Sequence, residues 1–324
     1  MISIDALMVT LAGLLLGCSS EPDSSAATSQ PEAAASGATS TGVTGGAGGD
    51  GSRGTATAGA GGLGGAGGTP IDALLRIDFD SSPLGNYTEA NLEADWGAIP
   101  WNNGIDAGRA EIVDGSDAHE GRSLRIRYPA GGVGAGPSGA QFQVTIPAPA
   151  NGPGFEELYC AYWLKFDDGF EFVKGGKIPG FAGGAANTGG QKPDGSDGFS
   201  ARMMWRGAGK VVQYLYHPDQ PTIYGEDLEW ALGGQRVFEP GSWHRVEHRV
   251  VMNTPGISDG LVQAWFDGEL ALDQQGIRFR DVSDFGIDIF YFSTFFGGSG
   301  ASWAPTSDQY VTFDDFIIAT TPLH

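Results

Sequence analysis

Four residues in two neighbouring runs could do acid–base chemistry together: Ser200, Arg202, Tyr214 and Tyr216. The runs are Phe199–Arg206 and Lys210–His217, and Gly207-Ala208-Gly209 joins them. A three-residue loop containing glycine connects antiparallel strands. Its register sets Arg206 against Lys210, Met204 against Val212, Arg202 against Tyr214 and Ser200 against Tyr216. Side chains alternate along a strand, so Ser200, Arg202, Tyr214 and Tyr216 project from one face. Directly opposed Cβ atoms lie about 5 Å apart. The other face receives Phe199, Ala201, Met203, Trp205, Val211 and Leu215, a core-like set that only Gln213 interrupts. The polar patch is expected to face away from the core. Upstream, Lys174-Gly175-Gly176-Lys177-Ile178-Pro179-Gly180 adds two lysines from what reads as a separate glycine-rich loop.

This set suits elimination from a uronic acid. The carboxylate on C5 of such a sugar makes the C5 hydrogen acidic. Removing that hydrogen requires neutralisation of the carboxylate, a base for the proton and an acid for the leaving glycosidic oxygen. Arg202 and Lys177 can neutralise, Arg with a fork that matches a carboxylate. The tyrosines can move protons. A free phenol titrates near pH 10, nearby cations favour the phenolate, and two cations beside one phenol are expected to bring it into working range. Each feature alone has a plainer reading. A tyrosine on a strand packs, an Arg–Tyr cross-strand pair is a cation–π contact, and Lys-Gly-Gly-Lys is a turn. The argument rests on their combination.

Further candidates for substrate contact are Lys174 and Arg206, Gln141 and Gln143 on an amphipathic run, and Tyr291 and Ser293 on one strand face. His244 and His248 share a face if Trp243–Met252 is one strand, but no third ligand with metal spacing accompanies them. Asp194 and Asp197 lack calcium-loop spacing. No metal and no cofactor are expected. Cys160 sits in an apolar run and reads as a buried, inert thiol.

The chain carries 39 acids and 18 bases. Setting aside Asp5, Glu21, Asp23, Glu32, Asp50 and Arg53 leaves residues 70–324 at about −17. This argues against a nucleic-acid partner, which needs a basic face. An anionic substrate requires local clustering of bases. Lys174, Lys177, Lys192, Arg202, Arg206 and Lys210 meet only Asp194 and Asp197 within their stretch. A positive cleft on an acidic body is therefore expected.

The elements that must position these residues read as strands. Short alternating runs recur at Leu74–Phe79, Arg109–Val113, Ser123–Tyr128, Gln141–Ile146, Tyr159–Phe166, Leu261–Phe266, Ile287–Phe295 and Val311–Ala319, with turn residues between them. Helical periodicity is scarce. Phe266-Asp267-Gly268-Glu269 is an Asp-Gly hairpin signal. The opening run beginning at Leu75 and the closing run Val311–Ile318 are expected to pair. The fold class is all-β, an antiparallel jelly-roll sandwich of the concanavalin-like type with one sheet curved into a cleft.

The amino terminus reads differently. Residues 1–18 hold a short apolar run ending at Leu15-Leu16-Gly17-Cys18, which looks like a bacterial lipobox with Cys18 as the lipidated residue. The n-region departs from that pattern, carrying Asp5 and neither Lys nor Arg. Residues 19–69 are Gly, Ser, Ala and Thr with scattered acids, the composition of a flexible tether. The expected protein is exported, held at a bacterial (outer) membrane by its lipid or secreted, and monomeric.

Lys-Gly-Gly-Lys-Ile-Pro-Gly, followed by a Ser-x-Arg strand and a Tyr-x-Tyr strand, resembles the polysaccharide lyase family 14 alginate lyases. The likeness is most specific over Tyr159–His217. It implies a β-jelly roll and β-elimination of a polyuronate such as alginate, giving unsaturated uronate ends. It implies that Lys177, Ser200, Arg202, Tyr214 and Tyr216 are catalytic, with proton transfer by the tyrosines, and leaves open which is base and which acid. Glucuronan or another polyuronate remains an alternative substrate. So does a non-catalytic carbohydrate-binding domain using exposed aromatics such as Trp303 or Tyr224. A retaining glycosidase is disfavoured, because Glu226-Asp227-Leu228-Glu229 lacks the required carboxylate spacing.

Overall fold

The computed structural model describes residues 72–150 and 152–324. Cys18, the lipobox and the whole tether lie outside the described residues. Among the described residues, sixteen strands, one α-helix and three single-turn 3-10 helices make up the regular structure. The first strands are β1 (Ala73–Ile77), β2 (Gly85–Asn86), β3 (Asn102–Asn103), β4 (Ala110–Asp114), β5 (Arg122–Tyr128) and β6 (Ala140–Thr145). The central ones are β7 (Glu157–Phe166), β8 (Gly175–Gly184), β9 (Gly198–Arg206), β10 (Val211–Tyr216) and β11 (Glu226–Glu229). The last are β12 (Trp243–Val251), β13 (Gly260–Phe266), β14 (Glu269–Ile277), β15 (Ile289–Thr294) and β16 (Gln309–Ala319).

These strands form two antiparallel sheets. A nine-stranded sheet runs β14-β13-β12-β7-β16-β5-β4-β2, with β1 also paired to β16. A seven-stranded sheet runs β11-β10-β9-β8-β15-β6-β3. The first and last strands pair as expected, Ile77 opposite Phe316. The core lies between the sheets and is rich in aromatics, including Phe142, Phe166, Phe181, Trp205, Phe292 and Phe313. Cys160 is a free, fully buried thiol within it.

The Asp-Gly hairpin forms between β13 and β14, with Asp267 at φ 52 and Gly268 at φ 84. Two consecutive left-handed residues match the twist of antiparallel strands. The helix α1 (Glu89–Trp96) was not expected. Thr88 caps it, its side chain accepting from the Asn91 backbone amide while the Asn91 side-chain oxygen accepts from the Thr88 amide. Its inward residues are only Leu92 and Trp96, too few to give a readable helical period. Trp96 is its anchor, stacked on Phe290 and edge-on to Phe142 and Phe316.

The main correction concerns Gly175–Gly184. Its glycines and Pro179 read as a loop, yet it is the central strand β8 and is buried almost throughout. The glycines are there for close approach. A Cβ on Gly176 would meet the Trp205 indole at 2.0 Å, and one on Gly183 would meet the Gly286 carbonyl oxygen at 2.0 Å. Pro179 falls at the register shift between Ile178 and Phe181, where no ladder donor is needed.

Candidate active site

The β9–β10 hairpin has the register set by its loop. Tyr214 pairs with Arg202 and Tyr216 with Ser200. Ala208, at φ 59, supplies the left-handed turn. Because β8 is a strand, Lys177 is not delivered by a separate loop: it sits opposite Met204 on the next strand of the same sheet. Its Nζ donates to the Met204 sulfur at 2.8 Å and lies 3.3 Å from the centre of the Tyr214 ring. The rings of Tyr214 and Tyr216 meet edge to face, 5.6 Å apart.

Arg202 reaches across β8. Gly180 is the β8 residue between it and Tyr291, and a Cβ there would lie 2.7 Å from the Arg202 Cα. The guanidinium lies 4.9 Å over the Tyr291 ring, and Nη1 donates to Ser293 Oγ at 3.0 Å. Ser293 in turn donates to Gln141 Oε1 at 3.3 Å, and Gln143 pairs with Tyr291. Tyr214, Arg202, Tyr291, Ser293, Gln141 and Gln143 thus form a polar band across five adjacent strands. The sequence candidates on β6 and β15 join the hairpin and Lys177 in one place.

The patch faces away from the inter-sheet core, as expected, but it is not open. Ser200 is fully buried and donates to the Asn187 carbonyl at 2.7 Å, and the Gly190 amide donates to the Tyr216 hydroxyl at 3.2 Å. The segment between β8 and β9 is pinned onto the site through these two bonds. Gln213, the polar exception on the core side, donates to the Arg202 carbonyl at 2.9 Å.

The charges separate into two kinds. Among the described residues, neither Lys177 nor Arg202 has a carboxylate partner, and Arg202 Nε is buried without any hydrogen-bond partner. Arg206 differs, forking onto Asp227 with bonds of 2.7 and 2.6 Å. Lys174 donates to Ser302 Oγ at 2.8 Å, beside the Trp303 ring, and Lys192 donates to the Gln220 carbonyl. Within the expected basic cluster, Lys177 and Arg202 stand apart as the members buried without a carboxylate partner. Burial pushes the Lys177 ammonium well below its ordinary range, with Arg202 and Arg206 adding repulsion. Burial also lowers Arg202.

Tyr214 moves opposite to the expectation. Burial and the neighbouring Tyr216 raise its pKa, and the arginines only partly offset them. Desolvation of a phenolate outweighs attraction to cations that are themselves desolvated. Tyr214 is a neutral phenol in the resting site.

Met204, Asp227, Asn187 and Gly190 escaped the sequence reading. The register placed Met204 on the site face, but its contact with Lys177 needed β8 to be a strand. Asp227 stood in a noticed acid cluster that was weighed only as a hydrolase pair. His244 and His248 are not brought together on a metal. His244 bonds Asp267 and the Glu239 amide, while His248 is buried with neither ring nitrogen partnered.

A buried amine, two phenols and a guanidinium without a carboxylate partner thus lie on one face of an antiparallel sandwich, a set suited to a polysaccharide lyase. The chain belongs to the family Polysaccharide lyase 14, whose model matches residues 116–316. Among solved structures it is similar to alginate lyase Aly36B, with 26% identity, a TM-score of 0.64, and 77% of this chain and 98% of that one covered. It is similar to the marine alginate lyase from Aplysia kurodai, with 27% identity, a TM-score of 0.63, and 77% and 99% covered. The alginate lyase vAL-1 from Chlorella virus, at 23% identity and a TM-score of 0.58, shares the fold over 74% of this chain and 100% of that one. The comparison with curated proteins gives no match.

Proposed function

We propose that this lyase cleaves alginate by β-elimination on the face around Lys177. The observation that carries the reading is the buried amine and guanidinium without carboxylates, Lys177 and Arg202, beside two phenols. A uronate carboxylate supplies what Arg202 lacks, and Gln141 and Gln143 lie within the same band to receive its second oxygen. The Lys177 amine, driven toward its neutral form by burial, takes the C5 proton. The C5–H electron pair becomes the C4–C5 double bond, the C4–O bond breaks, and a tyrosine phenol protonates the departing oxygen. Tyr214, held neutral, suits the acid role. This shifts the base from the tyrosines to Lys177. Ser200 holds the covering segment through Asn187, and Tyr291 supports the Arg202 guanidinium. Alginate as substrate is supported by related structures, including Aly36B variants with bound alginate tri- and tetrasaccharide.

The test is to incubate the purified protein with alginate, poly-mannuronate, poly-guluronate and glucuronan and follow absorbance of unsaturated ends near 235 nm. Absorbance rising on alginate supports the reading. Rise on glucuronan alone reassigns the substrate, and no rise on any polyuronate overturns the chemistry. We further propose that the protein is exported and anchored through lipid at Cys18, supported by the Leu-Leu-Gly-Cys sequence and the tether composition. Membrane fractionation of the wild type against Cys18→Ser checks this: a chain that stays in the soluble fraction in both forms removes the anchor.

A further inference from the structure

Arg206 was expected to bind substrate, but its guanidinium is already committed. Both bonds of its fork go to Asp227. Asp227 stands directly opposite Tyr214 in the β10–β11 register, and the Arg206 guanidinium lies 5.4 Å over the Tyr214 ring. The same ring carries the Lys177 Nζ at 3.3 Å. One phenol ring is therefore shared by a buried amine with no counter-ion and a guanidinium that has one. A fork–fork pair is directional and holds its members in one geometry. It leaves neither member free for a sugar carboxylate.

We propose that Asp227 and Arg206 are positioning residues for the elimination: their forked pair fixes the Tyr214 ring against the Lys177 amine and balances the charge that this amine meets. The proposal rests on the reading of Lys177 and Tyr214 as the proton-transfer pair. The ionisable groups around Lys177 on this face are Arg202 and Arg206 from β9, Tyr214 and Tyr216 from β10, Asp227 and Glu229 from β11, and Tyr291 from β15. Of these, Arg202 and Arg206 disfavour a charged Lys177, and Asp227 favours it. The pair contributes opposing fields, so removing one member has the opposite consequence from removing the other. Losing the Asp227 carboxylate makes the neutral amine more accessible, and losing the Arg206 guanidinium makes it less so.

The test compares the wild type, Asp227→Asn, Arg206→Gln and the double variant by the pH dependence of kcat/KM on alginate. Asp227→Asn should move the acid limb to lower pH and Arg206→Gln should move it to higher pH. The double variant should return near the wild-type position. Loosening the Tyr214 ring should lower kcat in each single variant on the order of tenfold, with KM changing less. Arg206→Gln that raises KM and leaves the limb in place overturns the proposal, since Arg206 is then a substrate contact. Limbs moving in the same direction, or not moving, also overturn it. A second measurement needs no turnover. NMR titration of 13Cε-labelled lysine, with the Lys177 signal assigned by its loss in Lys177→Met, reads the amine directly in the folded variants. Midpoints displaced in opposite directions support the pair even on an untested substrate, and unmoved midpoints refute it. Failure of the lyase reading itself would appear separately, as absent 235 nm absorbance in the wild type.

Discussion

The two sheets treat buried charge in opposite ways. On the seven-stranded sheet, Lys177 and Arg202 are almost wholly buried with no carboxylate beside them. On the nine-stranded sheet several charged groups are matched, although the buried His248 imidazole there has no partner. Glu247 is fully buried but accepts from Arg245 at 2.8 Å and from the Leu323 amide at 3.3 Å, and lies 2.9 Å from His324 Nδ1. Asp314 accepts from Ser123, and Asp315 bonds His119. Arg249 bonds Glu157 and Gln263. A matched network contributes to the fold. An unmatched cation costs folding free energy and persists where a ligand completes it. The contrast marks one sheet as the working face and the other as scaffold.

The largest effect should come from breaking the working face. Lys177→Met should lower kcat/KM on alginate by about 10³-fold while the melting temperature holds or rises, because a desolvated amine without a counter-ion is removed. A fall in melting temperature with activity retained would mean that Lys177 is structural. Arg202→Met should lower activity by roughly 10²-fold, again without loss of stability beyond its packing.

The scaffold should give the reverse pattern. Glu247→Leu leaves Arg245 without its carboxylate and should cost about 3 kcal/mol of stability, read by urea unfolding, with kcat/KM unchanged in the folded fraction. A smaller effect is expected at His248. Burial lowers its pKa to about 3, against about 6.5 in the unfolded chain. A depressed group contributes stability that is present above the unfolded value and lost as pH falls below it. His248→Leu should therefore flatten the stability loss between pH 6.5 and acid conditions, measured by melting temperature against pH.

The smallest predicted effect lies at Asp314, whose pKa burial pushes up to about 7. A raised carboxyl contributes stability below its unfolded value, near 4, and loses it as pH rises through 7. Asp314→Asn should gain melting temperature over the wild type at pH 8 relative to pH 5. A pH-independent difference would show that Asp314 is ionised in the fold throughout.

Much of this molecule was determined by local sequence. The β9–β10 register followed from Gly207-Ala208-Gly209, since a short loop permits few pairings, and it placed Ser200, Arg202, Tyr214 and Tyr216 on one face. The Asp267-Gly268 hairpin was legible for the same reason, since turn chemistry acts over a few residues, whereas the pairing of β1 with β16 was expected from the jelly-roll architecture, in which first and last strands meet. The strand nature of Gly175–Gly184 was not legible. Glycine has no side chain to show a period, and its value there lies in what Trp205, Arg202 and Gly286 bring close from elsewhere. The protonation states were likewise beyond the sequence. Charge counting expected cations to favour a tyrosinate, but desolvation depends on what covers a group, and that is set by the tertiary fold. The sequence determined which side chains share a face. Only the fold decided that Arg206 is held by Asp227 and that Lys177 and Arg202 are left without a counter-ion.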